Sequence, residues 1–133
     1  MAVETIPASH RDLLDAQVAS LATVGASGRP QQSILWFLAE SDTVRLSLAS
    51  SRQKTVNLQR HPACSLLIPD PVISQRYLEI RGDAEIEADP DYAFADKLGA
   101  KYNADLRLYD PPGETRVVVT IIADRVRAVD MRG

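Results

Sequence analysis

Cysteine occurs once in this 133-residue chain, and histidine only twice. A lone Cys64 excludes an internal disulfide framework. Because it sits in an apolar strand pattern, it reads as a buried, inert thiol. His10 and His61 lie far apart, and no cysteine or histidine pair has ligand spacing, so no metal site is expected. No G-x-S-x-G elbow is present to support a serine-hydrolase triad. Aromatic residues make up only 5% of the chain, so Val, Leu and Ile must fill the core. Apolar runs such as "CSLLI" and "VVVTII" are far shorter than the roughly 20 residues a spanning helix needs, so no membrane span is expected. Positive charge is not in excess either. The net charge is −3, which argues against a general nucleic-acid binder. The opening "MAVETIPASHRD" has neither the basic start nor the apolar stretch of a signal peptide, and a cytoplasmic protein is expected.

What is present has the balance of a globular protein: 45% hydrophobic and 25% charged residues. No repeat or compositional shift divides the chain, so one domain over 1–133 is expected. "HRDLLDAQ" after Pro7 and Ser9 predicts a helix burying Leu13, Leu14 and Val18 on one side. "VASLATVG" and "QQSILWFLAE" flank a turn at Gly28, a hairpin signal. "TVRLSLAS" alternates cleanly, with Val44, Leu46 and Leu48 on one face and Arg45 and Ser47 on the other. A short helix is predicted from about Arg52 to Arg60, ended by Pro62. "ACSLLIPD" and "RYLEIRGDAEIEAD" are further strands, the second with a bulge at Gly82. "DPDYAFADKLGAKY" predicts an amphipathic helix, "NADLRLYDPPGE" a loop, and "TRVVVTIIADRVRAVD" a closing strand whose apolar run "RVVVTII" suggests burial on both faces. The expectation is a mainly β protein with short helices. Its six or so antiparallel strands would form a small closed or half-closed barrel that hides the sheet edges.

Two stretches carry chemistry. "SSRQKTVNLQRHP", from Ser50 to Pro62, concentrates hydroxyls and cations where a strand gives way to a helix. Ser50, Ser51 and Thr55 offer hydroxyls, Arg52 and Lys54 offer charge, and the helix start adds unpaired N–H groups and a positive dipole end. Those are the parts of a phosphate cradle. The same residues also fit a plain helix start, with Ser51 as the cap and Arg52 and Lys54 in water. Upstream, "GRPQQSILWF" is an alternating strand placing Gln31, Ser33 and Leu35 on one side and Gln32, Ile34 and Trp36 on the other. Its backbone could face a planar heterocycle. Trp36, the sole tryptophan, suits either a pocket wall or core packing.

In order and spacing, "LATVGASGRPQQSILWFL", "SLASSRQKTVNLQRHPACSLLI" and "RYLEIRGDAEI" resemble the split-barrel flavin/deazaflavin oxidoreductases. These comprise the pyridoxamine-phosphate-oxidase-like proteins and, more closely here, their coenzyme F420-binding branch. The likeness runs from about Leu13 to Val129, and its most specific element is R-x-K-T-x-N-L from Arg52 to Leu58, together with "GRPQ". The resemblance implies a split β-barrel of Greek-key, FMN-binding-like type, paired as a homodimer with cofactors at the subunit interface. It implies that Arg52, Lys54 and Thr55 bind the cofactor phosphate, with Ser50 assisting and Asn57 fixing the loop or a ribityl hydroxyl. Gln31, Gln32, Ser33 and Ile34 would line the ring, while Arg76 and Tyr77 would reach it from the partner chain. Arg76, Arg81 and Arg60 would meet a polyglutamate tail.

The function so implied is F420-dependent hydride transfer to a small organic acceptor. No side chain is identified as a catalytic acid. FMN offers the same phosphate to the same cations, so an FMN-dependent oxidoreductase and a non-catalytic F420 carrier stay open as alternatives.

Overall fold

A computed structural model describes residues 5–132. Seven strands follow the chain as β1 (Ala19–Val24), β2 (Pro30–Leu35), β3 (Leu38–Glu40), β4 (Thr43–Ala49), β5 (Ala63–Pro69), β6 (Arg76–Ala88) and β7 (Arg116–Asp130). Two α-helices, α1 (Gln53–Arg60) and α2 (Ala93–Tyr102), and two 3-10 turns, Ala8–Asp15 and Leu106–Tyr109, complete the fold. Every strand pair is antiparallel, and the spatial order is β2-β1-β5-β6-β7-β4-β3. The sheet curls into the half-barrel expected of a split barrel.

The curl comes from the two long strands. The first half of β6 pairs with β5, from Tyr77 to Asp83. The first half of β7 instead pairs with β4, from Arg116 to Ile121. Within the stretch of β6 that pairs with β5, the β6–β7 register shifts at Arg81/Gly82, which is the bulge the sequence predicts. Glycine is required there, because a Cβ on Gly82 would stand 2.0 Å from the Ile122 carbonyl oxygen. Removing the side chain lets the backbones close and the sheet bend.

Inside the curl lie Leu21, Phe37, Leu46, Leu58, Leu66, Ile68, Leu78 and Ile80, each at most 2% exposed. Burying each such side chain contributes about 1.5–3 kcal/mol before entropy is counted. A second cluster forms outside the curl, where Phe94, Ala95 and Leu98 of α2 pack with Leu106 against Trp36, Leu38 and Val118. Buried Asp89 accepts the N–H groups of Phe94 and Ala95 at 3.2 and 2.9 Å and so caps α2 from upstream.

Four expectations are corrected. "QQSILWFLAE" is not one strand: it breaks at Trp36–Phe37, giving β2 and β3. The first helix is a 3-10 turn, and although Leu13 and Leu14 are buried, Val18 is 39% exposed. β7 is not buried on both faces. Val117, Val119 and Ile121 face the core, while Val118, Thr120 and Ile122 are half-buried, because α2 covers only part of the second face. Finally, the "NADLRLYDPPGE" loop contains a 3-10 turn. Among the described residues no helix is long and apolar enough to cross a membrane.

Candidate functional site

A cleft of about 490 Å³ opens where β2, the end of β4 and the start of α1 meet the segment from Leu106 to Arg116. One end is polar, with Ser51, Arg52 and Lys54. The other is apolar, with Leu35, Trp36, Leu98 and Tyr109.

At the polar end α1 begins without a side-chain cap, and its N-cap residue is Arg52 in extended conformation. The plain-cap reading of Ser51 is therefore not realised. The Ser51 hydroxyl instead donates to the Glu114 carboxylate. Ser50 is drawn the same way: its N–H donates to the Thr115 carbonyl at 2.8 Å, and its hydroxyl accepts from Thr115 Oγ1 at 2.7 Å. The Thr55 hydroxyl is fully buried and donates to the Ala49 carbonyl at 2.8 Å. Arg52 and Lys54 are different. Among the described residues neither forms an ion pair. Among the described residues Lys54 Nζ bonds only the Ser33 hydroxyl, at 3.4 Å. Burial first, and the charge of Arg52 second, push its ammonium below the ordinary lysine range.

Asn57, 1% exposed, is the hub of a hydrogen-bond network behind the start of α1. Its Oδ1 accepts from Gln53 Nε2 at 2.7 Å, and its Nδ2 donates to Thr23 Oγ1 at 3.0 Å. The Thr23 hydroxyl in turn donates a hydrogen bond to Gln31 Oε1 at 3.0 Å. This network fastens α1 to β1 and β2, so Gln31 is tied to the start of α1 from within. Ser33 stands on the same face of β2, whereas Gln32 and Ile34 point the other way, Ile34 being 66% exposed. β2 is an edge strand, so one side of its backbone pairs with no other strand of the sheet.

The break after β2 shapes the apolar end. Alternation assigns Leu35 and Trp36 to opposite faces, yet both line the cleft. Trp36 stacks on Tyr102 and meets Tyr109 edge-on with centroids 6.1 Å apart. Lys101 Nζ donates to the carbonyls of Ala16 and Phe37 at 2.8 and 3.0 Å and lies over the Phe37 ring at 3.9 Å. Its charge thereby holds the bent backbone.

The far wall is built around Asp110 and Arg116. Arg116 grips Asp110 with two bonds, Nε to Oδ2 at 2.7 Å and Nη2 to Oδ1 at 2.9 Å, and both side chains are at most 10% exposed. Tyr92 adds its hydroxyl to Asp110 at 2.7 Å. The Arg116 guanidinium holds the Asp110 carboxyl below its usual range. The "DPPGE" turn carried no substrate signature, and its role depends on β7 returning beside β4.

Arg76 and Tyr77 do not join this cleft within the chain. Arg76 bonds Asp12 and Asp70, at 2.6 and 2.8 Å, and the Ser9 carbonyl at 2.6 Å. Arg81 pairs with Glu79 at 3.0 Å, and Arg60 is exposed at the end of α1. Burial pushes the Cys64 thiol up to about 12, in keeping with an inert residue.

The family model described as pyridoxamine 5′-phosphate oxidase matches residues 6–130. No curated protein matches the chain. Among solved structures, an F420 reductase is 32% identical, with 92% of this chain and 98% of that one covered at a TM-score of 0.80. A conserved hypothetical protein of Mycobacterium tuberculosis, Rv2991, is 25% identical, with 98% and 88% covered and a TM-score of 0.75. HupZ of Group A Streptococcus is 21% identical with 96% of each chain covered and a TM-score of 0.74, a likeness of fold alone.

Proposed function

The chain belongs to the pyridoxamine 5′-phosphate oxidase family, and from that we propose that it is an F420-dependent oxidoreductase whose cofactor phosphate is held by Arg52 and Lys54. The observation that carries this reading is the pair itself: two cations that form no ion pair among the described residues, one of them half-buried, at the uncapped start of α1. Burying an unpaired ammonium is costly, and an anion at this position removes the cost. The phosphate fits these residues by charge and donors, with the first-turn N–H groups of α1 and the Ser50 hydroxyl completing the cradle. Thr55 and Asn57 support the fit from behind, since their polar atoms are already engaged within the fold.

The flavin-type ring suits the strip from Gln31 to Ile34, where the free edge of β2 offers backbone groups to its carbonyls and nitrogens. When bound, F420 supplies two-electron hydride chemistry. The protein's part is to hold the ring, orient a small organic acceptor and exclude water. Trp36 and Tyr109 make an apolar wall suited to a flat acceptor. A homodimer would bring Tyr77 to the cofactor from the partner. Arg76 has a weaker claim, since its guanidinium would first have to leave Asp12 and Asp70. The likeness to an F420 reductase and the R-x-K-T-x-N-L stretch favour F420 over FMN.

Parallel titrations with F420 and FMN test the reading. Micromolar or tighter binding of F420 and weak binding of FMN support it. Preference for FMN moves the protein to the flavin branch, and binding of neither ends the phosphate argument. F420 binding without turnover of any acceptor would leave a carrier.

A further inference from the structure

We propose that Glu114 sets the charge the cradle accepts, admitting a singly charged phosphodiester and rejecting a doubly charged phosphomonoester. This rests on the phosphate reading above and concerns which phosphate enters. The charged residues lining the cleft are Arg52, Lys54, Asp110, Glu114 and Arg116. Three cations face two carboxylates, which leaves one net positive charge. Asp110 and Arg116 neutralise one another through their two-bond grip. The working balance is then Arg52 and Lys54 against Glu114.

Glu114 is held in that place. Its Oε2 accepts the Ser51 hydroxyl, and its Oε1 accepts the Thr115 N–H at 3.0 Å. Thr115 is in turn fastened to Ser50 by two hydrogen bonds. The carboxylate therefore stands at the mouth of the cradle on the residue next to Arg52. It also takes up a hydroxyl, Ser51, that a dianion would need. The Ser51 bond holds the Glu114 carboxyl below its ordinary range, so it is charged at neutral pH.

FMN carries a phosphomonoester whose second proton leaves near pH ~6, as in other phosphomonoesters. F420 carries a phosphodiester, in which the corresponding oxygen is esterified and uncharged. With one net positive charge, the cleft balances the diester fully and leaves a monoester with an unmatched negative charge facing Glu114.

The test measures dissociation constants of F420 and FMN for the full chain and for Glu114→Gln, which keeps the shape and an acceptor oxygen while removing the charge. FMN affinity is expected to rise at least tenfold, with F420 affinity changing less than threefold. The unmodified chain supplies an independent reading: its FMN affinity should rise as pH falls from 7.5 to 5.5, and this slope should flatten in Glu114→Gln. Equal change for both ligands, or none for FMN with the pH slope intact, overturns the proposal. Lys54→Ala separates the two readings, because loss of all binding there preserves the phosphate cradle even if Glu114 proves indifferent.

Discussion

The indole of Trp36 lies parallel to the ring of Tyr102, with centroids 4.2 Å apart and planes within 5°. The Tyr102 hydroxyl meanwhile accepts from the Phe37 N–H at 3.1 Å and donates to the Phe37 carbonyl at 3.0 Å. One α2 side chain thus holds the indole by its face and satisfies the peptide groups exposed where β2 breaks off. Tyr102→Phe keeps the stack but orphans the Phe37 N–H, while the carbonyl retains Lys101 Nζ, so a stability loss of about 1–3 kcal/mol is expected in urea unfolding. Tyr102→Ala should lose more and red-shift the emission of Trp36, the sole tryptophan. Unchanged emission in the alanine variant would refute the role of the stack.

Lys54→Ala is expected to weaken cofactor binding at least tenfold while leaving the fold intact by circular dichroism. The pH dependence has a definite sign. A bound phosphate favours charged Lys54, whose pKa is held below the ordinary 10.5 by burial and then by Arg52. Affinity is therefore full below that depressed value and falls as pH rises through it. Titrations on the alkaline side should show this fall in the unmodified chain, and Lys54→Ala should lack it.

Gly82→Ala forces a methyl group into the Ile122 backbone, which cannot move as a flexible side chain would. A cost of about 1–3 kcal/mol or more is expected, from overpacking at the bend. A urea midpoint equal to that of the unmodified chain would show that the bulge tolerates a side chain.

Asp70 links acid stability to the N-terminal segment. The N–H groups of Ile73 and Val72, then Arg76, hold its carboxyl at about 2 rather than 3.8. Its contribution is complete above pH 3.8 and is lost as pH falls toward 2. Asp70→Asn should flatten the acid limb of the stability curve between those values, measured by thermal unfolding at successive pH. An acid limb unaltered by the substitution would locate the sensitivity elsewhere.

Much of this was legible in the chain because it is local. Alternation in Thr43–Ala49, the glycine in "IRGDA" and the amphipathic spacing of α2 depend on near neighbours, and each appears in the structure. The pair of cations was legible for the same reason: Arg52 and Lys54 follow a strand and open a helix. The partners of the hydroxyls beside them were not: Ser51 and Thr55 donate within the chain to Glu114 and Ala49, while Ser50 accepts from Thr115.

By itself the sequence determined the strand-and-helix order, a Val-, Leu- and Ile-filled core, and a pair of cations at a helix start. Each follows from side-chain period, backbone freedom or charge over a few residues. The tertiary structure alone decided where β2 breaks, that Leu35 and Trp36 share one cleft, and that Asp110, Glu114 and Arg116 face residues more than fifty positions earlier. Those outcomes depend on β7 pairing with β4 and on α2 reaching the Phe37 backbone, long-range contacts that no local pattern encodes.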